Sequence, residues 1–515
     1  MASMADTMPE LVLVAETDAA PARRARRLAA RGALRRLYPG IYTSNVDSPL
    51  ETIVLRHWQA IVGHLLPGGV ISHRSAFDSR PQEGSLSITR GKTRRDLRLP
   101  GLTVHIVPGP GPRSEPPAPD SRFGALYLAS DARRFLENLT RGRGWSHRVL
   151  PQTALEAALD RILMVGGPRR LNQLRDHARE IAPSLGYEAQ FKRLNSLIGA
   201  LLGTHEAKIL TAKQALARAA GRPYDPNRLE IFDSLFTALN QAALENIDDP
   251  APAGVAREDF AFFEAYFSNY IEGTTFEVEE AESIIFDGRI IENRNEDSHD
   301  ILGTFRAATT APWRDRPPQS VDEFLVWLQN FNALVMQQRV DKKPGEWKEK
   351  ANQAGNTYFV APELVVGSLR EGFERIRALP HPLAQAIMVM FVVAEVHPFS
   401  DGNGRTARLA MNCMLSAQGL SRIIIPTVYR EDYLLPLKAL SHNRIAEPLI
   451  GALSRVQRWS AAFDYSLPRA QLRKSFARCN AFQEDLRSYK LLFPPAKPTS
   501  KALDAIAAPQ RSPRD

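Results

Sequence analysis

The sequence predicts a mainly α-helical protein with a smaller mixed α/β region at its N-terminal end, and three observations lead there. From Arg148 onward, apolar residues recur at three- and four-residue spacing with few interruptions. Before that point, short apolar and β-branched runs alternate with glycine and proline turns. The excess positive charge lies in the same early part. Residues 1–150 hold 22 Lys+Arg against 13 Asp+Glu, which accounts for the whole formal net charge of +9.

A length of 515 residues suits about three domains, and 44% apolar residues suffice for several ordinary cores. The two cysteines, Cys413 and Cys479, are too few for a disulfide framework or a thiolate metal site, so a reduced, cytoplasmic setting is expected. No basic-then-apolar leader opens the chain. The most apolar stretch, Leu383 to Val396, contains Gln385 and Glu395 and falls short of the ~20 residues that span a bilayer. The sequence therefore reads as soluble, with no membrane partner.

In chain order, Pro21 to Arg31 predicts a short basic helix with Gly32 as its stop. Residues 33–37 and 41–43, joined by Tyr38-Pro39-Gly40, predict a hairpin. A basic helix followed by a basic hairpin is the layout of a winged helix, here with only Leu11 to Glu16 before it to serve as a shortened first helix. A helix over residues 50–66 follows, then strands at 69–71, 86–89 and 102–107. Pro108 to Pro119 is too rich in proline for regular structure and reads as either a surface loop or a linker. Helices are predicted over 155–164, 171–181, 191–202, 229–244, 260–271, 321–336, 363–377, 382–396, 403–418, 433–441 and 448–463. The tail, 493–515, has the Pro/Ala/Ser composition of a disordered segment. Charge confined to one region suggests an anionic partner for it, nucleic acid ahead of membrane, although an arginine-rich compositional bias would leave the same trace.

The chemistry-bearing segment is His397-Pro398-Phe399-Ser400-Asp401-Gly402-Asn403-Gly404-Arg405-Thr406-Ala407-Arg408. The helix before it is apolar nearly all round, which places it at the centre of a bundle. Pro398 forbids its continuation and leaves His397 at the helix end. Gly402 and Gly404 flank Asn403 where a second helix begins, and a helix start with unpaired N–H groups cradles anions. Arg405 and Arg408 share one face of that helix and suit neighbouring phosphates. Asp401 offers a hard oxygen to Mg²⁺, and His397 a general base near neutral pH. Each feature alone is ordinary; twelve residues that combine them are not.

This segment resembles the signature of the Fic (Fido) family, HPFx[D/E]GNGRxxR, at every fixed position. His381-Pro382 before the apolar helix is similar to the family's approach to the motif. Gly345-Glu346-Trp347-Lys348 and Thr357 to Pro362 resemble its flap, a hairpin that holds a target chain by strand addition. The resemblance implies an all-helical Fic bundle over 225–465 with a β-hairpin flap. It also implies a protein adenylyltransferase that moves AMP from ATP to a Tyr, Thr or Ser hydroxyl of a target protein, the enzyme itself included. By the same resemblance His397 would take the hydroxyl proton and Asp401 would hold Mg²⁺. Gly402, Asn403 and Gly404 would line the anion hole, Arg405 and Arg408 would bind the β- and γ-phosphates, and Phe399 would anchor the core. Family members that act as kinases depart from glycine at the Gly404 position.

Ser268-Asn269-Tyr270-Ile271-Glu272-Gly273 is similar to the family's inhibitory pattern [S/T]xxxE[G/N]. That resemblance implies an inhibitory helix over 258–272 in which Ser268 and Glu272 share a face and Glu272 pairs with Arg408, shutting out the γ-phosphate. Autoinhibited Fic proteins are often dimers, and some remove AMP from a modified protein, so AMP removal stays open as an alternative. Residues 22–45 (ARRARRLAARGALRRLYPGIYTSN) resemble the winged helix of AbiEi-type antitoxins over 8–48, and 69–76 the α/β domain that follows it there, with a helical region to 205. That likeness implies operator DNA as partner, with Arg23, Arg24 and Arg27 on the groove helix and Arg35 and Arg36 on the wing. The rival reading it carries is a DNA-binding regulator in which the Fic domain is a sensor.

Overall fold

The computed structural model describes residues 8–14, 19–140, 148–485 and 487–495, which form two compact units that divide between Gly221 and Arg222. The first opens with strand β1 (Leu11–Leu13), helix α1 (Ala19–Ala30), β2 (Arg35–Tyr38) and β3 (Ile41–Thr43). The three strands form an antiparallel sheet in the order β1-β3-β2. The expected helix and hairpin are therefore present. The segment from Leu11, expected to begin a shortened helix, is instead a strand whose residues 11–13 pair with 41–43. A four-residue apolar run has no helical periodicity to defend, and the edge of the hairpin offers it backbone partners. The rest of that expectation, and most of the tail, fall on residues outside those described.

Next come α2 (Leu50–Arg56) and α3 (Trp58–Leu65), where one helix was expected over 50–66. The chain breaks at His57, whose imidazole lies 2.6 Å from the Glu10 carboxylate. Strand β4 (Val70–Ile71), helix α4 (His73–Asp78), β5 (Ser85–Thr89), β6 (Arg95–Leu99), β7 (Leu102–Val107), β8 (Ser121–Phe123) and β9 (Leu126–Leu128) build a six-stranded mixed sheet, order β6-β7-β5-β4-β9-β8. Its apolar face packs on α2 and α3 through Ile53, Ile61, Val62, Leu86, Ile88 and Val104. The charged edge strand β6 (RDLRL) was not expected, because edge strands carry the polar residues that obscure a strand pattern.

The first unit closes with α5 (Asp131–Asn138), the long α6 (Gln152–Leu185), α7 (Glu188–Leu201) and α8 (Lys213–Ala219) around a second apolar cluster. Helix α6 is kinked where Gly167 takes φ 66° ahead of Pro168. The proline-rich stretch 108–119 is a surface loop, mostly exposed, with Ala118 buried. Arg133 on α5 reaches it through the carbonyls of Pro110 and Gly111 while bridging Asp120 (2.6 Å) and Glu137 (2.8 Å), all three side chains fully buried.

The second unit is helical: α9 (Pro226–Gln241), α10 (Gly254–Ile271), α11 (Val278–Phe286), α12 (Asn295–Thr309), α13 (Val321–Val335), α14 (Val365–Ala378), α15 (Pro382–Val396), α16 (Asn403–Ala417), α17 (Arg430–Asn443), α18 (Glu447–Ala461) and α19 (Arg469–Arg478). Between α13 and α14 stands the hairpin β10 (Gln353–Ala354) and β11 (Thr357–Tyr358). Helix α15 is the bundle's axis: Leu383, Ile387, Met388, Phe391, Val392 and Val393 are buried around its circumference, against α9, α14 and α16. Burial of such side chains contributes roughly 1.5–3 kcal/mol each. Helix α19, beyond the expected limit of the bundle at 465, belongs to the same core, since its Phe476 meets Phe263 of α10 at 4.5 Å and Trp459 of α18 at 5.2 Å. Among the described residues no helix is long and apolar enough to cross a membrane.

Arg133 is the clearest stability test in the first unit. Its removal leaves two buried carboxylates without their cation, so Arg133→Met costs about 3–5 kcal/mol, read as a lowered denaturant midpoint for that unit.

Candidate active site

The site forms where α15 ends and α16 begins. His397 caps α15 in the left-handed region, φ 52°, and Pro398 turns the chain away. The short loop is closed by Asn403, which accepts from the Phe399 amide (2.8 Å) and donates back to the Phe399 carbonyl (2.9 Å). Asn332 of α13 holds the Asp401 carbonyl at 2.9 Å. Gly402 caps α16 with φ 76°, and a Cβ there would meet the Met336 sulfur at 2.6 Å. Phe399 is buried and stacks on Trp347 at 5.1 Å. The first turn of a fifteen-residue helix is thus held open beside His397, its N–H groups directed at one spot.

His397 Nδ1 lies 3.2 Å from the Ala394 carbonyl. A carbonyl only accepts, so Nδ1 carries the proton and Nε2 keeps its lone pair. Burial pushes this imidazole down to about 4, partly opposed by the Ala394 contact and aided by the nearby Lys348 ammonium. It is therefore neutral near pH 7. Lys348 is itself buried, donates to Asn352 (2.6 Å) and the Val396 carbonyl (3.3 Å), and is brought down to about 7 by burial, with Arg228 adding to the effect.

Both arginines are buried and engaged. Arg408 donates to Glu272 (2.7 Å), to the Ser268 hydroxyl (2.9 Å) and to the Ser268 carbonyl (2.8 Å). Arg405 donates to Asp300 on α12 (2.6 Å) and to Asn269 (3.2 Å). Asp300 also takes Arg339 at 2.8 Å, which extends the network to Glu296 and Asp297. Burial alone would raise the Glu272 carboxyl, but the Arg408 guanidinium outweighs it and holds Glu272 below the ordinary carboxylate range. Glu272 is not inside a helix, as a 258–272 element would have it, but caps α10 after Ile271. Its carboxylate reaches the start of α16: a Cβ on Gly404 would lie 2.1 Å from Glu272 Oε1.

Asp401 accepts from the Gly402 amide at 2.6 Å and its side chain is 40% exposed, 3.8 Å from Arg405. A single hard oxygen beside an anion-binding turn is a donor set that suits Mg²⁺ with phosphates and water as its other ligands. Phe359 lies flat on His397, ring centroids 3.8 Å apart and planes 6° apart. Asp300, Asn269, Arg339, Lys348 and Phe359 were not singled out in sequence. Asn269, Lys348 and Phe359 lay in motifs already marked, and Asp300 and Arg339 become significant through partners distant in the chain.

In the first unit, Arg23, Arg24 and Arg27 are exposed along α1. Arg26, not anticipated, joins Arg23 and Arg27 around one groove and Arg36 around another. Arg35 turns inward and donates to the carbonyls of Val46 (3.0 Å) and Ser48 (2.7 Å).

Residues 324–415 match the sequence model of the Fic/DOC family. Among curated relatives, the protein adenylyltransferase Fic of Drosophila melanogaster is 25% identical over 352 residues, covering 62% of this chain and 70% of its own. Protein adenylyltransferase fic-1 of Caenorhabditis elegans is 22% identical over 294 residues, 52% of this chain and 55% of its own. Among solved structures, a Fic domain-containing signaling protein from Bacteroides thetaiotaomicron is 20% identical with a TM-score of 0.37, covering 47% of this chain and 96% of its own. C. elegans Fic-1 is 18% identical with a TM-score of 0.34, covering 64% and 98%.

The His397 environment carries its own test. In a histidine titration followed by NMR, one imidazole should titrate near about 4, far below the ordinary ~6.5, and vanish in His397→Ala. An ordinary midpoint for that signal would refute the burial argument. Its effect on stability follows: because the folded value is depressed, protonation between the two values favours unfolding, and the contribution of His397 rises with pH through that window.

Proposed function

We propose that the protein is an ATP- and Mg²⁺-dependent protein adenylyltransferase held in check by Glu272. The observation that carries this reading is the carboxylate of Glu272 on Arg408 (2.7 Å), against the spot beside Gly404 that an anion would take at the start of α16. ATP would set its phosphates on the amides of Gly402, Asn403 and Gly404, with Arg408 on the γ-phosphate and Arg405 on the β-phosphate. His397 Nε2 would take the proton of a protein hydroxyl as its oxygen bonds to the α-phosphorus and pyrophosphate departs. Asp401 would hold Mg²⁺, which neutralises phosphate charge when bound. Glu272 competes for Arg408 and places a negative charge where the γ-phosphate belongs.

A charge-assisted hydrogen bond of this kind is worth about 1.5–3 kcal/mol, so Glu272→Gly should raise self-labelling from ATP by about tenfold to a hundredfold. His397→Ala in that background should abolish the label. Label that persists without His397 refutes the mechanism, and unchanged labelling in Glu272→Gly refutes the restraint.

A second reading concerns the first unit, and the exposed arginines of α1 favour it. Among the described residues, Arg23, Arg24, Arg26, Arg27 and Arg36 form no ion pair. An array of unneutralised guanidinium groups along one helix suits a phosphate backbone. We infer that this face binds DNA, with Arg35 contributing through the fold and not through contact. Residues 1–221 should retard duplex DNA in a gel at low salt, and replacing Arg23, Arg26 and Arg27 with Ala should remove the shift. No retardation by the parent fragment would end this reading.

A further inference from the structure

One face of the His397 imidazole is covered from the flap side. The imidazole has two faces and two ring nitrogens; Nδ1 is committed to Ala394, and one face is covered by the Phe359 ring. Phe359 follows the hairpin strand β11, and its position is fixed from both ends of the flap. At the root, the Lys348 amide donates to the Pro398 carbonyl (2.9 Å) and the Asn352 side chain to the Phe399 carbonyl (3.0 Å). At the tip, Thr357 Oγ1 lies 2.8 Å from His442 on α17. The Tyr358 carbonyl, one residue before Phe359, accepts from Arg228 of α9. The same guanidinium donates to Glu395 at 2.6 Å. Glu395 is buried, two residues before His397, and its other oxygen takes the Ser441 hydroxyl.

Arg228 therefore joins two things that must keep register: the helix that ends in the base, and the strand that carries the ring lying on the base. Neither contact serves the nucleotide. A stacked aromatic over an imidazole leaves the Nε2 edge as the route to its lone pair and removes ordered water from one whole face. Water is the obvious competitor in this reaction. Attack by a water oxygen on the α-phosphorus, with Nε2 taking one water proton and pyrophosphate leaving, gives free AMP. A protein hydroxyl docked along the flap must instead slide in beside Phe359. Lids that exclude water from reactive phosphates suppress this kind of side reaction.

We propose that Phe359 is a specificity-determining lid that reserves the adenylyl group for a flap-bound hydroxyl over water, and that Arg228 is the positioning residue that holds it on His397. The proposal rests on the adenylyl-transfer reading.

The test uses the full-length Glu272→Gly protein and ATP labelled on its α-phosphate, and reads the ratio of free AMP to protein-bound AMP. Phe359→Ala in that background should raise the ratio about threefold to tenfold, the share expected from losing one stacked aromatic pair. Arg228→Gln should move it in the same direction, because Glu395 and the Tyr358 carbonyl lose their common partner. Phe359→Trp, which restores a flat ring, should return the ratio close to that of the parent. An unchanged ratio in Phe359→Ala, or a rise in Phe359→Trp as large as in the alanine variant, overturns the lid. If the Glu272→Gly parent makes neither product, the adenylyl-transfer reading itself fails, which is a different result from a parent that makes both in a ratio Phe359 does not affect.

Discussion

Two buried helices have to meet end to end in an apolar centre, and this constraint organises the second unit. The C-terminus of α15 and the N-terminus of α16 would each leave backbone groups without partners in an apolar centre. Asn403 settles most of that difficulty by bonding both ways to Phe399, and Gly402 supplies the backbone conformation the turn demands. The first turn of α16 therefore starts right beside His397. The packing around α15 and the hydrogen bonds from Asn332 and Lys348 keep that spot in place.

Charge balance follows from the same geometry. Two guanidinium groups within one helical turn are unfavourable in a buried place unless each meets an anion. Each does, through Glu272 and Asp300, but the two carboxylates differ. Asp300 is fully buried and shared with Arg339, so Arg405 is braced by a network that reaches the surface of α12. Glu272 is one-third exposed and ends a helix. Asp300 thus holds two guanidinium groups together, whereas Glu272 pairs with one.

The sequence made the site legible because its chemistry needs fixed residue types close together: His397, Asp401, both glycines, Asn403 and both arginines fall within one short run. The helical periodicity of the second unit was equally readable, since α15 and α16 bury continuous faces. Helix α19 escaped notice because only Leu472 and Phe476 of its ten residues are buried, too few for a pattern. The same limit hid Arg228 and Asp300, whose partners lie far along the chain. Glu395, a carboxylate in an otherwise apolar helix, was visible as an oddity, but nothing local indicated Arg228 as its counter-ion. In the first unit, a short apolar run read as a helical remnant became strand β1, because a hairpin edge decides such segments more strongly than their own propensity.

The seat of Glu272 at the end of α10 has a mechanical meaning. The body of α10 is clamped by Phe260, Phe262, Phe263 and Phe267, with Phe476 pressed against the latter two. Gly273, with φ 91° and open space around its α-carbon, follows immediately. The carboxylate is thus mounted on a joint and not on the shaft. Fraying of the last turn would withdraw it from Arg408 while every aromatic contact of the helix stays where it is, so the stability of the bundle and the occupancy of the arginine are separable quantities.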